Sequence, residues 1–214
     1  MPDTAPLAPT PSEGPSVTIA RQAILDSQRS VFGYELFDRS VSATQHTASS
    51  DAQLLFNLLS MADAGTLMER KALFINCTHD SLAGGHLELV APEQIVLEIP
   101  PLPVTQLEQI QPRLPTLQAM RERGFRLAFD YSVLTRSYET WLPMAAFIKF
   151  DVSVLKPASI SSFVKLAQSK SDAQLVAEKV ETAQQHEMLQ ELGVQLFQGY
   201  WFAKPALVEG QTIR

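Results

Sequence analysis

GFRLAFDYSVLTRSYETWLPMAAFIKFD, residues 124–151, contains two short apolar runs, RLAFD and FIKFD, each stopping at an aspartate, Asp130 and Asp151. Three other runs stop in the same manner: LFIN at Asn76, IVLE at Glu98 and QLVAE at Glu178. An unbroken apolar run of this length reads as a strand buried on both faces, the state of parallel strands covered by helices. A carboxylate inside such a strand would be costly to bury, so each acid belongs at its mouth. A barrel is the simplest geometry that gathers several such ends, because its sites lie at the C-terminal rim of the strands.

Around these runs the chain alternates strand and helix. VTIARQAIL and SVFGYELFD flank Asp26-Ser27-Gln28-Arg29 and predict an opening antiparallel hairpin. A helix is expected over roughly 49–63, with Leu54, Leu55, Leu58, Leu59 and Ala62 on one stripe. Between Thr105 and Arg123, Leu107, Ile110, Leu114 and Leu117 mark a helical face that Pro112 and Pro115 should split, and Gly124 suits its end. Ile160, Phe163, Val164 and Ala167 mark a further helix, and Thr182 with Gln185 has capping-box spacing before a last helix that closes at Gly193. Eight strands with repeated strand–helix alternation imply an α/β barrel with mostly parallel pairing. Residues 1–16, with five prolines among small polar residues, read as a disordered lead, and the barrel domain is expected over 17–214.

The whole chain has 214 residues, 45% of them hydrophobic, which suffices for one domain with a substantial core. A net charge of -6 argues against binding a nucleic-acid polymer, which needs clustered Lys and Arg. No apolar run reaches membrane-spanning length, and the single cysteine, Cys77, precludes an intrachain disulfide. A cytoplasmic protein without membrane contact is the expectation. His46, His79, His86 and His186 have no metal-ligand spacing and read as surface residues, while Trp141 and Trp201 read as packing. Each acid at a strand end, taken alone, is either a site residue or a solvated loop start. Lys149 alternates with Ile148 and Phe150, so it points either into the barrel mouth or outward along its stem. Glu181, beside Thr182, reads first as a helix N-terminal charge.

Seven blocks, ARQAILDSQRSVFGYELFDR, FINCT, VLEIP, GFRLAFD, IKFD, VAEKVET and LFQGYWFAKP, resemble, in order, the EAL-domain family of cyclic di-GMP phosphodiesterases. The likeness is strongest to its divergent branch often found fused to an HDOD domain, and it covers about Val17 to Pro205. The resemblance implies a modified TIM (β/α)8 barrel with an antiparallel first strand. It implies Glu35, Asn76, Glu98 and Asp130 as metal ligands, with Arg39 and Gln198 as substrate-binding residues. Lys149 falls on the lysine that orients the attacking water, Glu178 on a catalytic glutamate, and Asp151 and Glu181 on supporting positions. Oxygen ligands of this kind favour Mg²⁺ or Mn²⁺. Without a cation, so many converging carboxylates would repel one another, and Glu35→Gln would then stabilise the metal-free chain.

The chain also departs from the family. Its paired aspartates appear here as Asp130-Tyr131, and a phenol is a poor replacement for a carboxylate at a second metal. Pro101 replaces the glutamate that braces the following loop, and Ser132-Val133-Leu134-Thr135-Arg136 replaces its Phe-Gly-Thr-Gly turn, which draws on glycine for positive φ. That loop also contributes to the family's dimer. One metal site rather than two is therefore expected. The expected function is a degenerate module acting through cyclic di-GMP or a protein partner, with impaired or no turnover. The alternative is an active Mg²⁺- or Mn²⁺-dependent phosphodiesterase releasing linear pGpG.

Overall fold

The computed structural model describes residues 19–38, 47–60 and 71–207. The predicted N-terminal lead, Arg39 and His46 lie outside the described residues. Strands β1 (Ile19–Asp26) and β2 (Val31–Asp38) form the antiparallel hairpin. Its turn is set by Asp26, whose Oδ1 accepts the N–H groups of Gln28 and Ser30, both at 2.9 Å. Arg29 adopts the left-handed conformation there, with φ 62°.

From β2 the sheet continues in parallel through β3 (Ala72–Asn76), β4 (Ile95–Ile99), β5 (Arg126–Asp130), β6 (Ala145–Asp151), β7 (Gln174–Glu178) and β8 (Leu196–Phe197). Antiparallel pairing of β8 with β1 closes an eight-stranded barrel, as the hairpin and the parallel runs predicted. A ninth strand, β9 (Ala206–Leu207), adds to β1 beyond β8.

Side chains alternate across the strands, so each buried strand serves two cores. Ile24, Ala72, Phe74, Val96, Ala128, Phe147, Val176 and Leu196 fill the barrel interior. Phe74 and Phe147 meet there at 5.0 Å between ring centroids, with Phe32 5.9 Å from Phe147. The alternate set, including Leu73, Leu97, Leu127, Ile148 and Leu175, packs outward against the helices. Among the described residues these are α1 (Ala48–Ser60), α2 (Ile110–Glu122), α3 (Pro157–Lys170) and α4 (Ala183–Glu191).

Helix ends follow the sequence signals. Thr182 and Gln185 form the capping box, and Gly124 and Gly193 terminate α2 and α4 at φ 99° and 86°. Both ends make the paired back-bonds of that termination, Phe125 N–H to Met120 O and Val194 N–H to Leu189 O among them. The prolines do not split α2 where the sequence suggested. The break falls earlier, where a kinked 3-10 segment, Val104–Gln109, gives way to α2. Pro112 sits in the first turn, whose N–H groups have no helical partner anyway. Pro115 removes a single rung, and burial of Ile110, Leu117 and Met120 carries the helix through it.

Candidate functional site

Two residues beyond the interior plug, the same inward face of each strand turns polar. Phe74 is followed by Asn76, Val96 by Glu98, Ala128 by Asp130, Phe147 by Lys149, Val176 by Glu178 and Leu196 by Gln198. The parallel registers Asn76↔Glu98, Asp130↔Lys149 and Asp151↔Glu178 hold these residues at similar height at one mouth. Glu35 joins them from β2, opposite Gln22 of β1.

At the centre stands Lys149, which points inward and is 6% exposed. Its Nζ lies 2.6 Å from Glu98 Oε2, 2.9 Å from Glu178 Oε1 and 3.1 Å from Glu35 Oε2. Glu35 also accepts from Gln198 Nε2 at 2.7 Å and from Asn76 Nδ2 at 3.2 Å. The self-repelling acidic pocket expected from sequence is therefore corrected: an internal ammonium holds the carboxylates together. Burial by itself would lower the Lys149 pKa, but Glu35, Glu98 and Glu178 drive it well above the usual lysine value. Lys149 is thus a fixed cation. Glu98 behaves differently. Burial, then the Glu35 charge, outweigh Lys149 and push its carboxyl up to about 8. Glu178 is raised by the same desolvation, partly offset by Lys149.

Among the described residues, two cavities open over this cluster and share Glu35 and Glu178. The smaller, about 260 Å³, is lined by Glu35, Asn76, Glu98, Asp130, Lys149, Pro100 and Pro101 among others. The larger, about 500 Å³, is lined by Gln22, Glu35, Phe37, Asp151, Glu178, Lys179, Glu181, Gln198, Gly199 and Tyr200. Asp151 turns to local partners: Oδ2 pairs with Lys179 at 2.5 Å, while Oδ1 accepts from the Ser153 backbone and hydroxyl. Burial opposes its charge, but Lys179 and Ser153 hold its pKa below the ordinary value. Asp130 Oδ1 accepts the Ser132 N–H at 2.9 Å, capping the turn that follows β5.

The donor set fits a hard divalent cation. Glu98 Oε1 is buried without a hydrogen-bond partner, in a cavity that also presents Glu35, Asn76 and Asp130. If all three glutamates around Lys149 are ionised, two negative charges remain in excess, which a divalent ion would balance. Among the described residues, no group of three or more His, Cys, Asp or Glu side chains is already arranged as a metal cluster. The glutamates converge on Lys149 instead.

Tyr131 lines neither cavity. Its ring stands edge-on to Phe163 of α3, with centroids 6.1 Å apart. Gln22, Phe37, Lys179 and Tyr200 were not anticipated. All four lie within the blocks that carry the family resemblance, and the register of the hairpin sets Gln22 opposite Glu35. The surface assignment of His186 is corrected, since it is 2% exposed between Phe197 and Phe202. His79 is half-buried as well. Trp141 is core as expected, whereas Trp201 is 43% exposed.

A closed barrel with one antiparallel strand, and acids and a lysine at its C-terminal mouth, defines the class to which comparison with known proteins can be put. The EAL domain family model matches residues 52–205, and the chain belongs to that family. It is 34% identical over 207 residues to the cyclic di-GMP phosphodiesterase CdgJ of Vibrio cholerae, covering 91% of this chain and 46% of that protein. The uncharacterized protein YuxH of Bacillus subtilis is 28% identical, with 92% and 49% covered. The chain thus spans about half the length of these curated relatives. Among solved structures, the EAL domain of Mycobacterium smegmatis DcpA superposes with TM-score 0.71 at 22% identity, covering 89% of this chain and 93% of that one. BlrP1 of Klebsiella pneumoniae, in a manganese/cy-diGMP complex at pH 6, also gives 0.71 at 22% identity, with 97% and 60% covered. These two likenesses establish the fold. No helix among the described residues is long and apolar enough to cross a membrane.

Proposed function

We propose that this chain is an EAL signalling module that binds cyclic di-GMP together with one Mg²⁺ or Mn²⁺ and turns it over slowly or not at all. The observation that carries the reading is the direction of Tyr131: where the family resemblance calls for a second metal-binding aspartate, the side chain packs on Phe163. Glu35, Asn76, Glu98 and Asp130 would hold the cation. Once bound, it would neutralise charge on a phosphoryl oxygen and acidify a water molecule. The chain's own groups divide the remaining work. Lys149, pinned as an ammonium by three carboxylates, is no base, and it would orient a water or a phosphate oxygen only by releasing one of them. Without a cation Glu98, pushed up to about 8, can hold a proton near neutral pH, and burial raises Glu178 above the ordinary carboxylate value as well. Gln198 Oε1, buried and unpartnered, is available to accept an N–H from a ligand in the larger cavity. Arg39 is assigned to a ligand phosphate by resemblance alone.

An active phosphodiesterase is the second reading. It is favoured by the intact Lys149 cluster and by a 34% identical relative that is named as such an enzyme. Calorimetric titration with cyclic di-GMP, with and without Mn²⁺, followed by chromatography for the linear dinucleotide, separates the two. Cation-dependent binding without product supports the module. Rapid product formation supports the enzyme, and no binding under either condition rejects both.

A further inference from the structure

The loop that leaves Glu98 has an unusual shortage of backbone donors. Pro100, Pro101 and Pro103 have no N–H, so between 100 and 103 only Leu102 can donate from the main chain. That N–H goes to the Tyr138 hydroxyl at 2.7 Å, and the same hydroxyl lies 3.3 Å from Leu102 O, to which it can donate. The Pro100 carbonyl is taken at 2.9 Å by His79 Nε2, which must carry the proton because a carbonyl only accepts. Two side chains from other loops therefore hold a segment that backbone pairing cannot. His79 follows Asn76 by three residues, and Pro100 and Pro101 line the cavity beside the unpartnered oxygen of Glu98.

Both tethers are keyed by one ring. Trp141, 1% exposed, lies 5.0 Å from Tyr138, 5.7 Å from His79 and 5.9 Å from Phe129, the neighbour of Asp130. Its indole N–H donates to Ile110 O at 2.9 Å, fixing the ring in place. Loops following β3, β4 and β5, whose ends present Asn76, Glu98 and Asp130, are thereby tied to one another.

We propose that Tyr138 and His79, keyed by Trp141, are positioning residues that clamp the proline loop over Glu98 and so set the cation affinity of the smaller cavity. The inference rests on the cation reading proposed above. Neither residue touches the cation, and each acts through the loop.

The test uses the full chain as wild type, Tyr138→Phe, His79→Leu and His79→Gln. Free Mn²⁺ is followed by its paramagnetic resonance signal during titration, and amide exchange is followed at Leu102. Loss of one such hydrogen bond should weaken Mn²⁺ binding by roughly three- to tenfold in Tyr138→Phe and His79→Leu. The Leu102 amide should exchange faster in Tyr138→Phe. His79→Gln, whose amide can still donate to Pro100 O, should recover most of the affinity, which a purely structural role does not predict. Unchanged Mn²⁺ affinity in Tyr138→Phe and His79→Leu, with wild type binding normally, overturns the clamp and leaves the cation reading intact. A wild type that binds no Mn²⁺ overturns the cation reading itself, and the clamp with it.

Discussion

Lys149 Nζ lies 2.6 Å from Glu98 Oε2, yet the other oxygen of Glu98 is buried without a partner. The pair is thus half-satisfied: one carboxylate oxygen answers an internal cation, and one faces a cavity that presents further oxygen donors. Such an arrangement offsets part of the carboxylate repulsion without metal, through Lys149, and still leaves carboxylates in excess for a cation to answer.

Glu35→Gln should therefore destabilise the metal-free chain, the reverse of what charge crowding alone suggests. Glu35 accepts from three donors, Asn76, Lys149 and Gln198. A glutamine has one acceptor oxygen and would turn its amide N–H₂ toward at least one of those donors. The expected cost is about 2–4 kcal/mol, read from urea unfolding without metal. Mn²⁺ affinity should fall in the same variant, and undiminished affinity would remove Glu35 from the ligand set.

Lys149→Met tests the internal cation directly. It leaves Glu35, Glu98 and Glu178 without their shared ammonium in a largely buried site. Removing one partner of a buried ion pair typically costs about 3–5 kcal/mol. Added Mn²⁺ should restore more thermal stability to this variant than to wild type, since the cation would take over the lost compensation. An equal Mn²⁺ shift in both proteins would mean that the ion and the ammonium do not answer the same carboxylates.

The barrel and its mouth were legible because the signals were local. Apolar runs such as RLAFD and QLVAE announce strands, and an acid at the end of a buried strand belongs at its exit. What stayed hidden depends on distant chain. Residues 131–144 lack the glycine turn of the family, yet form three 3-10 turns, at Tyr131–Leu134, Arg136–Tyr138 and Leu142–Met144, with no positive φ. Their anchor, Tyr138 on Leu102, spans 36 residues and has no periodic trace. The inward turn of Lys149 was one of two outcomes that strand alternation alone allowed, and only the carboxylates of β2, β4 and β7 decide it. His186 was misread because the rings that cover it, Phe197 and Phe202, come later in the chain.

His186 supplies a pH dependence. Both its ring nitrogens are buried without partners, and burial, then Arg29, lower its pKa, against a smaller opposing pull from Glu187. An unfolded histidine titrates near 6.5. Below that value the unfolded chain takes up a proton that the folded chain refuses until lower pH, so stability present above about 6.5 is lost as pH falls. His186→Leu keeps an apolar side chain between the two phenylalanines and removes the titration. The drop in urea midpoint between pH 7.5 and 5.5 should be larger in wild type than in the variant, with other titrating groups common to both. Parallel curves would show that His186 does not carry the effect.

Tyr131→Asp asks how much of the missing second site one residue restores. The wild-type phenol is committed to Phe163, outside both cavities, so it supplies no charge at the mouth. An aspartate beside Asp130 would supply it and would give up the ring contact, a loss of about 0.5–1.5 kcal/mol beyond buried area. Its carboxylate would still sit on a turn capped by Asp130, whose Oδ1 is engaged by Ser132 N–H, and Pro101 at the smaller cavity offers no side-chain acceptor. Recovery should therefore be partial. Hydrolysis of cyclic di-GMP, followed as linear dinucleotide by chromatography with Mn²⁺ in excess, should be slow or absent in wild type. It should rise in Tyr131→Asp by roughly one order of magnitude, equivalent to about 1.4 kcal/mol at the transition state. Fast hydrolysis by the wild type would show that a second carboxylate is not needed here, and the active-enzyme reading would then hold.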